Sequence, residues 1–109
     1  MIDSIDLTER ELEILRSVLA SYACVIDTVG VFGSRAMGRA HPASDIDLVL
    51  YGQLTEQQIQ RLWSKFDQSS LAVTVDIADY ARIKHAPLKR HIDAAMKPLF
   101  HKSDLLDAA

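Results

Sequence analysis

The chain has 109 residues, of which 49% are hydrophobic and 25% are charged, and its 15 acidic and 12 basic residues give a net charge of −3. These values predict one globular domain over residues 1–109 and argue against wholesale disorder. The acidic balance argues against a protein that coats nucleic acid, so we expect no direct nucleic-acid partner. The single cysteine excludes an internal disulfide framework. The sequence offers neither a secretory signal nor an apolar stretch of membrane-spanning length, which predicts a cytoplasmic protein with no membrane partner.

The N-terminal half of the chain predicts a helix, a strand and a turn. The segment DLTERELEILRSVLASY, residues 6–22, opens with the capping box TERE and carries an apolar stripe at helical spacing. The segment CVIDTVGVFG, residues 24–33, is rich in β-branched residues and ends in glycine, which is typical of a strand that runs into a turn. A short helix is expected to follow in SRAMGRA, residues 34–40, and to end in the proline-containing HPAS.

The C-terminal half continues the alternation of strands and helices. DIDLVLYG, residues 45–52, and LAVTVDIADY, residues 71–80, predict two further strands. TEQQIQRLWSKFDQSS, residues 55–70, predicts a helix with its own capping box, and PLKRHIDAAMKPLF, residues 87–100, predicts a last helix. The order α-β-α-β-α-β-α predicts an α/β or α+β fold, in which helices pack mainly on one face of a small mixed sheet.

Three aspartates are expected on one face of this sheet. Because side chains alternate across a strand, Asp45 and Asp47 point away from the hydrophobic face of the second strand. Asp76 does the same in the third strand. If the two strands are neighbours in register, the three carboxylates converge.

Converging carboxylates suit a divalent cation. Like charges about 4 Å apart repel by ~1 kcal/mol in water and by ~4 kcal/mol at an effective surface dielectric, so such groups take up protons or bind a cation. Oxygen ligands without cysteine or a histidine pair favour Mg²⁺, or Mn²⁺ in its place, over zinc. Because Mg²⁺ is held by carboxylates together with substrate phosphates, and two such ions assist an in-line displacement, the pattern predicts nucleotide chemistry.

The Gly33-Ser34 turn fits the same chemistry. A glycine lets backbone N–H groups approach a phosphate closely, and the hydroxyl of Ser34 can donate to that phosphate. Arg35 has two interpretations: contact with the triphosphate of a bound nucleotide, or a salt bridge with a nearby acid.

These residues carry a resemblance to a known family. The segment GSRAMGRAHPASDID, with ten residues between Ser34 and Asp45, resembles the G-S-x10-D-x-D signature of the polymerase-β-like nucleotidyltransferases. VTVDIADY resembles the strand that carries their third acid, and the size of the chain is similar to the minimal nucleotidyltransferases, the MNT group of the MntA type. The resemblance implies that Asp45 and Asp47 hold two metal ions and that Asp76 ligates the catalytic ion and helps to deprotonate the acceptor hydroxyl. It also implies that Gly33 and Ser34 hold the β- and γ-phosphates of the incoming nucleotide.

The resemblance further implies an activity and a partner. The reaction would be Mg²⁺-dependent transfer of a nucleoside monophosphate, AMP from ATP, to a hydroxyl group. The family implies a helical HEPN-type toxin, encoded nearby, as the partner whose tyrosine is adenylylated, with this chain as the antitoxin of a toxin-antitoxin pair. A chain of this length is not expected to present its own acceptor, which implies a homodimer or a hetero-oligomer.

Two other functions remain open from the residues alone. The chain could neutralise its partner by occlusion, using the acids only to bind nucleotide and metal, or it could be half of a two-component transferase that acts on a small molecule such as an aminoglycoside. Residues 82–102 carry six Lys or Arg and one acid, and are the candidate surface for an acidic partner or the acceptor. His85, His91 and His101 have spacings that suit no tight metal site, which favours surface or partner-facing positions.

Overall fold

The computed structural model describes residues 5–108, so positions 1–4 and 109 of the predicted domain lie outside the described residues. Four helices are formed: α1 Glu9–Leu19, α2 Glu56–Asp67, α3 Ala86–Ala95 and α4 Lys102–Ala108. The four strands are β1 Ile26–Phe32, β2 Ile46–Gly52, β3 Val75–Asp79 and β4 Lys97–His101. Turns of 3-10 helix cover Ala20–Val25, Gly33–Arg35 and Tyr80–Arg82. Among the helices described, none has the length and apolar character needed to cross a membrane.

The strands form one mixed sheet in the order β3-β2-β1-β4. β1 pairs antiparallel with both β2 and β4, whereas β2 pairs parallel with β3. The connection between the two parallel strands contains α2, since a parallel pair needs a crossover longer than a hairpin turn. The predicted small mixed sheet is therefore confirmed.

Both capping boxes form as the sequence predicts. At the start of α1, the backbone N–H of Glu11 donates to the Thr8 hydroxyl at 3.1 Å, and the Thr8 N–H donates to the Glu11 carboxylate at 3.0 Å. Thr55 and Gln58 make the same reciprocal pair at the start of α2, at 3.1 and 2.8 Å. Each box satisfies two N–H groups that would otherwise lack partners, and so fixes where the helix begins.

Apolar side chains are buried on both faces of the sheet, and the two faces differ in size. The larger core joins residues of α1, α2 and α4 to the sheet and includes Leu15, Leu19, Leu48, Leu50, Leu62, Phe66 and Leu105. The smaller cluster lies on the opposite face, where Ile92 of α3 packs with Phe32 and Val49. Three helices thus cover one face and α3 covers part of the other, which confirms the prediction of helices mainly on one face.

The C-terminal segment differs from the prediction. The expected helix over 87–100 is wrong beyond Ala95, because Met96 is extended (φ −65°, ψ 139°) and Pro98 removes the N–H that a helix would need. The segment instead forms β4 at the edge of the sheet, a position that tolerates proline. The structure therefore adds a strand and a helix, α4, that the apolar periodicity did not reveal.

Two other elements are shorter than predicted. The expected helix over 34–40 is only the 3-10 turn Gly33–Arg35, and the rest of that segment is loop. The third strand begins at Val75 rather than at Leu71, because the residues before Val75 form bends and coil. Neither change moves Asp76 out of its strand.

Candidate functional site

The site is built on the register of the two parallel strands. Asp47 of β2 is the direct pairing partner of Asp76 of β3. Partners in neighbouring strands lie about 4.8 Å apart and project their side chains to the same face. The two carboxylates therefore leave the sheet side by side, on the face that carries α3, as the sequence predicted for strands in register.

Asp45 lies one residue before β2 and is exposed. Burial, followed by the negative charges of Asp76 and Asp45, raises the pKa of Asp47 above its ordinary value, and His91 acts in the opposite direction. The three aspartates thus influence one another electrostatically. In the described part of the chain, however, no group of three His, Cys, Asp or Glu side chains is gathered closely enough to hold a metal ion as it stands. The predicted convergence is a shared electrostatic site and not a preformed cage.

Gly33 places the turn directly against the carboxylate of Asp47. Its φ of 73° lies in the left-handed region, and a Cβ added to it would overlap the Oδ2 of Asp47. Only glycine therefore allows this approach without strain. The turn also follows Phe32, which pairs with Asp47 across β1 and β2. The predicted phosphate turn and the predicted acids lie next to each other.

Ser34 is the second residue of this 3-10 turn. The carbonyls of Gly33 and Ser34 accept hydrogen bonds from the backbone N–H groups of Ala36 and Arg39, both at 3.1 Å. Because the carbonyls of a helical turn point toward its end, the N–H groups at its start point the other way. Such N–H groups are the ones that bind an anion.

Arg35, the last residue of the turn, has a buried side chain, and 4% of the residue's surface is exposed. Its Nη1 donates to the Glu11 carboxylate and to the Asp6 carbonyl, both at 3.1 Å, and its Nη2 donates to the Ser44 carbonyl at 2.7 Å. Of its two interpretations, the structure shows the salt bridge, with Glu11 as the acid. Contact between Arg35 and a nucleotide stays a prediction, and would require these bonds to be exchanged. In the structure as it stands, Arg35 ties the start of α1 to the residue that precedes Asp45.

His91 is a site residue that the sequence analysis did not identify. It lies on α3, exposed, with its ring 6.3 Å from the ring of Phe32 in an edge-on arrangement at 77°. The distance in sequence between His91 and the acids does not predict that they are close in space, because α3 reaches the site only by packing on the sheet. Asp79, the other acid of β3, lies on the opposite face and pairs with Arg82 at 3.3 Å, so it is not part of the site.

The donor set fits a hard divalent cation. The acids offer carboxylate oxygens, the ligands that Mg²⁺ prefers. Burial, and after it the like charges of Asp76 and Asp45, raise the pKa of Asp47, and a bound cation would stabilise the charged carboxylate against both. The adjacent glycine turn brings the backbone close to those oxygens, as a phosphate-binding loop requires. The arrangement is therefore suited to holding a metal-bound polyphosphate.

Known proteins resemble this chain in sequence and in fold. The sequence profile of the family "Polymerase beta, Nucleotidyltransferase" matches residues 13–105. The chain is 36% identical over 80 residues to the "Probable protein adenylyltransferase MntA" of Haemophilus influenzae, a match that spans 71% of this chain and 68% of that protein. Among solved structures, a toxin-antitoxin with AMP-PNP is similar with a TM-score of 0.68 and 24% identity, over 89% of this chain and 80% of that one. The toxin-antitoxin MntA-HepT is similar with a TM-score of 0.57 and 21% identity, over 86% of this chain and 79% of that one.

Proposed function

Because the chain belongs to the polymerase beta nucleotidyltransferase family, and is a nucleotidyltransferase, we propose that it transfers AMP from ATP to a hydroxyl group of a partner protein. The observation that carries this proposal is the pairing of Asp47 with Asp76 beside the Gly33 turn. The name of the Haemophilus influenzae relative, a protein adenylyltransferase, supports protein as the acceptor. AMP-PNP in one similar solved structure supports an adenine nucleotide.

The three aspartates would hold two Mg²⁺ ions, for which Mn²⁺ would substitute. Asp45 and Asp47 would ligate both ions, and Asp76 would ligate one of them. When bound, the ions would offset the negative charge that develops on the phosphate oxygens. Gly33 and Ser34 would hold the β- and γ-phosphates through the N–H groups at the start of their turn and the Ser34 hydroxyl. Arg35 would support the nucleotide site indirectly, by holding this turn and Ser44 in place.

The proposed reaction exchanges one bond to phosphorus for another. The acceptor oxygen attacks the α-phosphorus of ATP, and the bond from that phosphorus to the bridging oxygen of the β-phosphate breaks. Pyrophosphate leaves, and AMP stays on the acceptor as a phosphodiester. Asp76 would accept the proton of the acceptor hydroxyl, since it lies on the edge strand β3 where an acceptor can approach. Positioning and charge compensation would supply most of the rate.

We propose a helical HEPN-type toxin as the partner and one of its tyrosines as the acceptor, with this chain as a cytoplasmic antitoxin in a hetero-oligomer. The toxin-antitoxin assemblies among the similar solved structures support a toxin partner. The surface of the chain supports an acidic contact, because Lys89 and Arg90 are exposed on α3, the helix that packs on the face carrying the acids.

The experiment is transfer of label from [α-³²P]ATP. The chain is incubated with Mg²⁺ and the product of the neighbouring gene, and protein-bound label is followed with time. Asp47→Asn is the test variant, and Asp27→Asn is its control. Asp27 is an exposed acid near the start of β1, at the opposite end of that strand from the turn, and it forms an ion pair with Lys102. We expect label on the partner with wild type and Asp27→Asn, and less than a tenth of that rate with Asp47→Asn.

The same experiment separates the other functions. Label found only on an added aminoglycoside would show that the acceptor is a small molecule and not a protein. Protection against the partner that survives in Asp47→Asn without any transfer of label would show neutralisation by occlusion. More than a tenth of the wild-type rate in Asp47→Asn would contradict the assignment of the site.

A further inference from the structure

His91 occupies the open side of the site. Its ring lies edge-on to Phe32, with centroids 6.3 Å apart. Phe32 is the cross-strand partner of Asp47, and the next residue, Gly33, faces the Asp47 carboxylate. The imidazole is thus placed at the junction of the glycine turn and the acids, and it is exposed to a ligand that enters there.

The position of His91 is fixed by its neighbours on α3. Ile92 is fully buried against Phe32 and Val49, which anchors the helix to the sheet. The hydroxyl of Tyr80 donates to the Asp93 carboxylate at 2.7 Å and ties the same turn of α3 to the end of β3. The two residues that follow His91 thus anchor the backbone of α3 at this point, and a fixed backbone reduces the entropy lost when the ring binds a ligand.

The donors proposed so far are the N–H groups of the Gly33 turn and the Ser34 hydroxyl, none of which carries a positive charge. A nucleoside triphosphate carries several negative charges, and two metal ions beside three aspartates compensate only part of them. Arg35, the last residue of the turn, is 4% exposed, and its guanidinium already donates to Glu11 and to two carbonyls. His91 presents a ring N–H donor on the face where the phosphates would lie.

We propose that His91 is a nucleotide-binding residue that donates a hydrogen bond to the phosphate chain of the incoming nucleoside triphosphate. This inference rests on the proposed function, because it requires a nucleotide at the acids and the glycine turn. His91 makes no bond to the α-phosphorus and takes no proton in the reaction. Its contribution is selectivity for a nucleotide that carries β- and γ-phosphates.

The test is nucleotide binding measured by calorimetry, with Mg²⁺ and with ATP and AMP as separate ligands. His91→Phe keeps an aromatic ring against Phe32 and removes the N–H donor, whereas His91→Ala removes both the ring and the donor. His85→Gln is the control, because His85 is an exposed histidine at the start of the same helix and makes no side-chain capping bond. Melting temperatures within a few degrees of wild type establish that the variants are folded.

We expect His91→Phe and His91→Ala to weaken ATP binding by about tenfold, the order expected for a lost hydrogen bond to a charged group, and to change AMP binding by less than about twofold. His85→Gln is expected to bind ATP as wild type does. ATP binding by His91→Phe equal to wild type would overturn the inference, because packing on Phe32 would then be the only role of the ring. Equal weakening of ATP and AMP would also overturn it. A wild-type chain that binds neither ligand would instead contradict the proposed function.

Discussion

The Cα of Gly33, which has no side chain, faces the carboxylate of Asp47. This contact places the turn after β1 directly against the acid of β2. The close approach has two requirements, a left-handed backbone (φ 73°) and the absence of a Cβ. Gly38 has a similar φ of 68°, yet a Cβ added to it would meet nothing within 4 Å. The two glycines therefore separate the effect of backbone strain from the effect of the contact with Asp47.

Replacing Gly33 by alanine is expected to reduce AMP transfer more than tenfold, because the new Cβ displaces the Asp47 carboxylate. Gly38→Ala carries the same kind of backbone cost, about 1 kcal/mol, without this overlap, and is expected to retain transfer within about twofold. Initial rates of label transfer and urea unfolding of both variants measure the two effects. Equal loss of activity in both variants would contradict a specific role for the contact.

Neutralising Asp47 is expected to stabilise the metal-free protein while removing its activity. Burial and the charges of Asp76 and Asp45 raise the pKa of Asp47, so its charged form is less favourable in the folded state than in the unfolded state. Asp47→Asn removes a like-charge repulsion of about 1 kcal/mol or less at a solvated site. The measurement is the free energy of unfolding in the presence of a chelator, with Asp27→Asn as control.

The sign of the pH dependence follows from the direction of this pKa change. Well below the ordinary Asp pKa of 3.8, Asp47 is protonated in the folded and in the unfolded state, so it does not lower the free energy of unfolding. As the pH rises through the raised pKa of the folded state, the folded protein becomes progressively less stable relative to Asp47→Asn. A stability difference that does not widen as the pH rises above 3.8 would show that the folded state does not raise the pKa of Asp47.

Replacing Arg35 by lysine is expected to destabilise the protein by about 2–4 kcal/mol. Lysine keeps the charge but cannot reach Glu11, Asp6 and Ser44 together, which leaves partly buried acceptors without partners. Arg39→Lys is the control from the same loop, because Arg39 is exposed. Urea unfolding measures both variants, and a cost below about 0.5 kcal/mol for Arg35→Lys would contradict the anchoring role.

Removing a capping hydroxyl is expected to cost about 1 kcal/mol of stability. Thr55→Ala deletes the oxygen that accepts from the Gln58 N–H at 3.1 Å, and this N–H then has only water as a partner. Thr74→Ala is a suitable control, since Thr74 is exposed and lies outside the helices. Thermal unfolding distinguishes the two, and identical melting temperatures would indicate that α2 begins without help from its cap.

Features that depend on neighbouring residues in the chain were predictable from the sequence. The two capping boxes, the strands that carry Asp47 and Asp76, and the face on which these acids lie all follow from short-range patterns, because helix and strand periods act over a few residues. The strand β4 was missed because Leu99 continued the helical spacing, although Pro98 marks the point where that helix cannot continue.

The arrangement of the site around those acids depended on tertiary structure. Nothing local distinguishes Arg35 as a buried anchor, since its partners Glu11 and Asp6 lie 24 and 29 residues away in the sequence. His91 reaches the site only because Ile92 packs α3 on the sheet face opposite the main core. Local patterns along the chain identify the residues that can carry the chemistry. Which of these residues come together depends on the packing of elements that are far apart in the chain. Helix and strand periods act over only a few residues, so they carry no information about such long-range contacts.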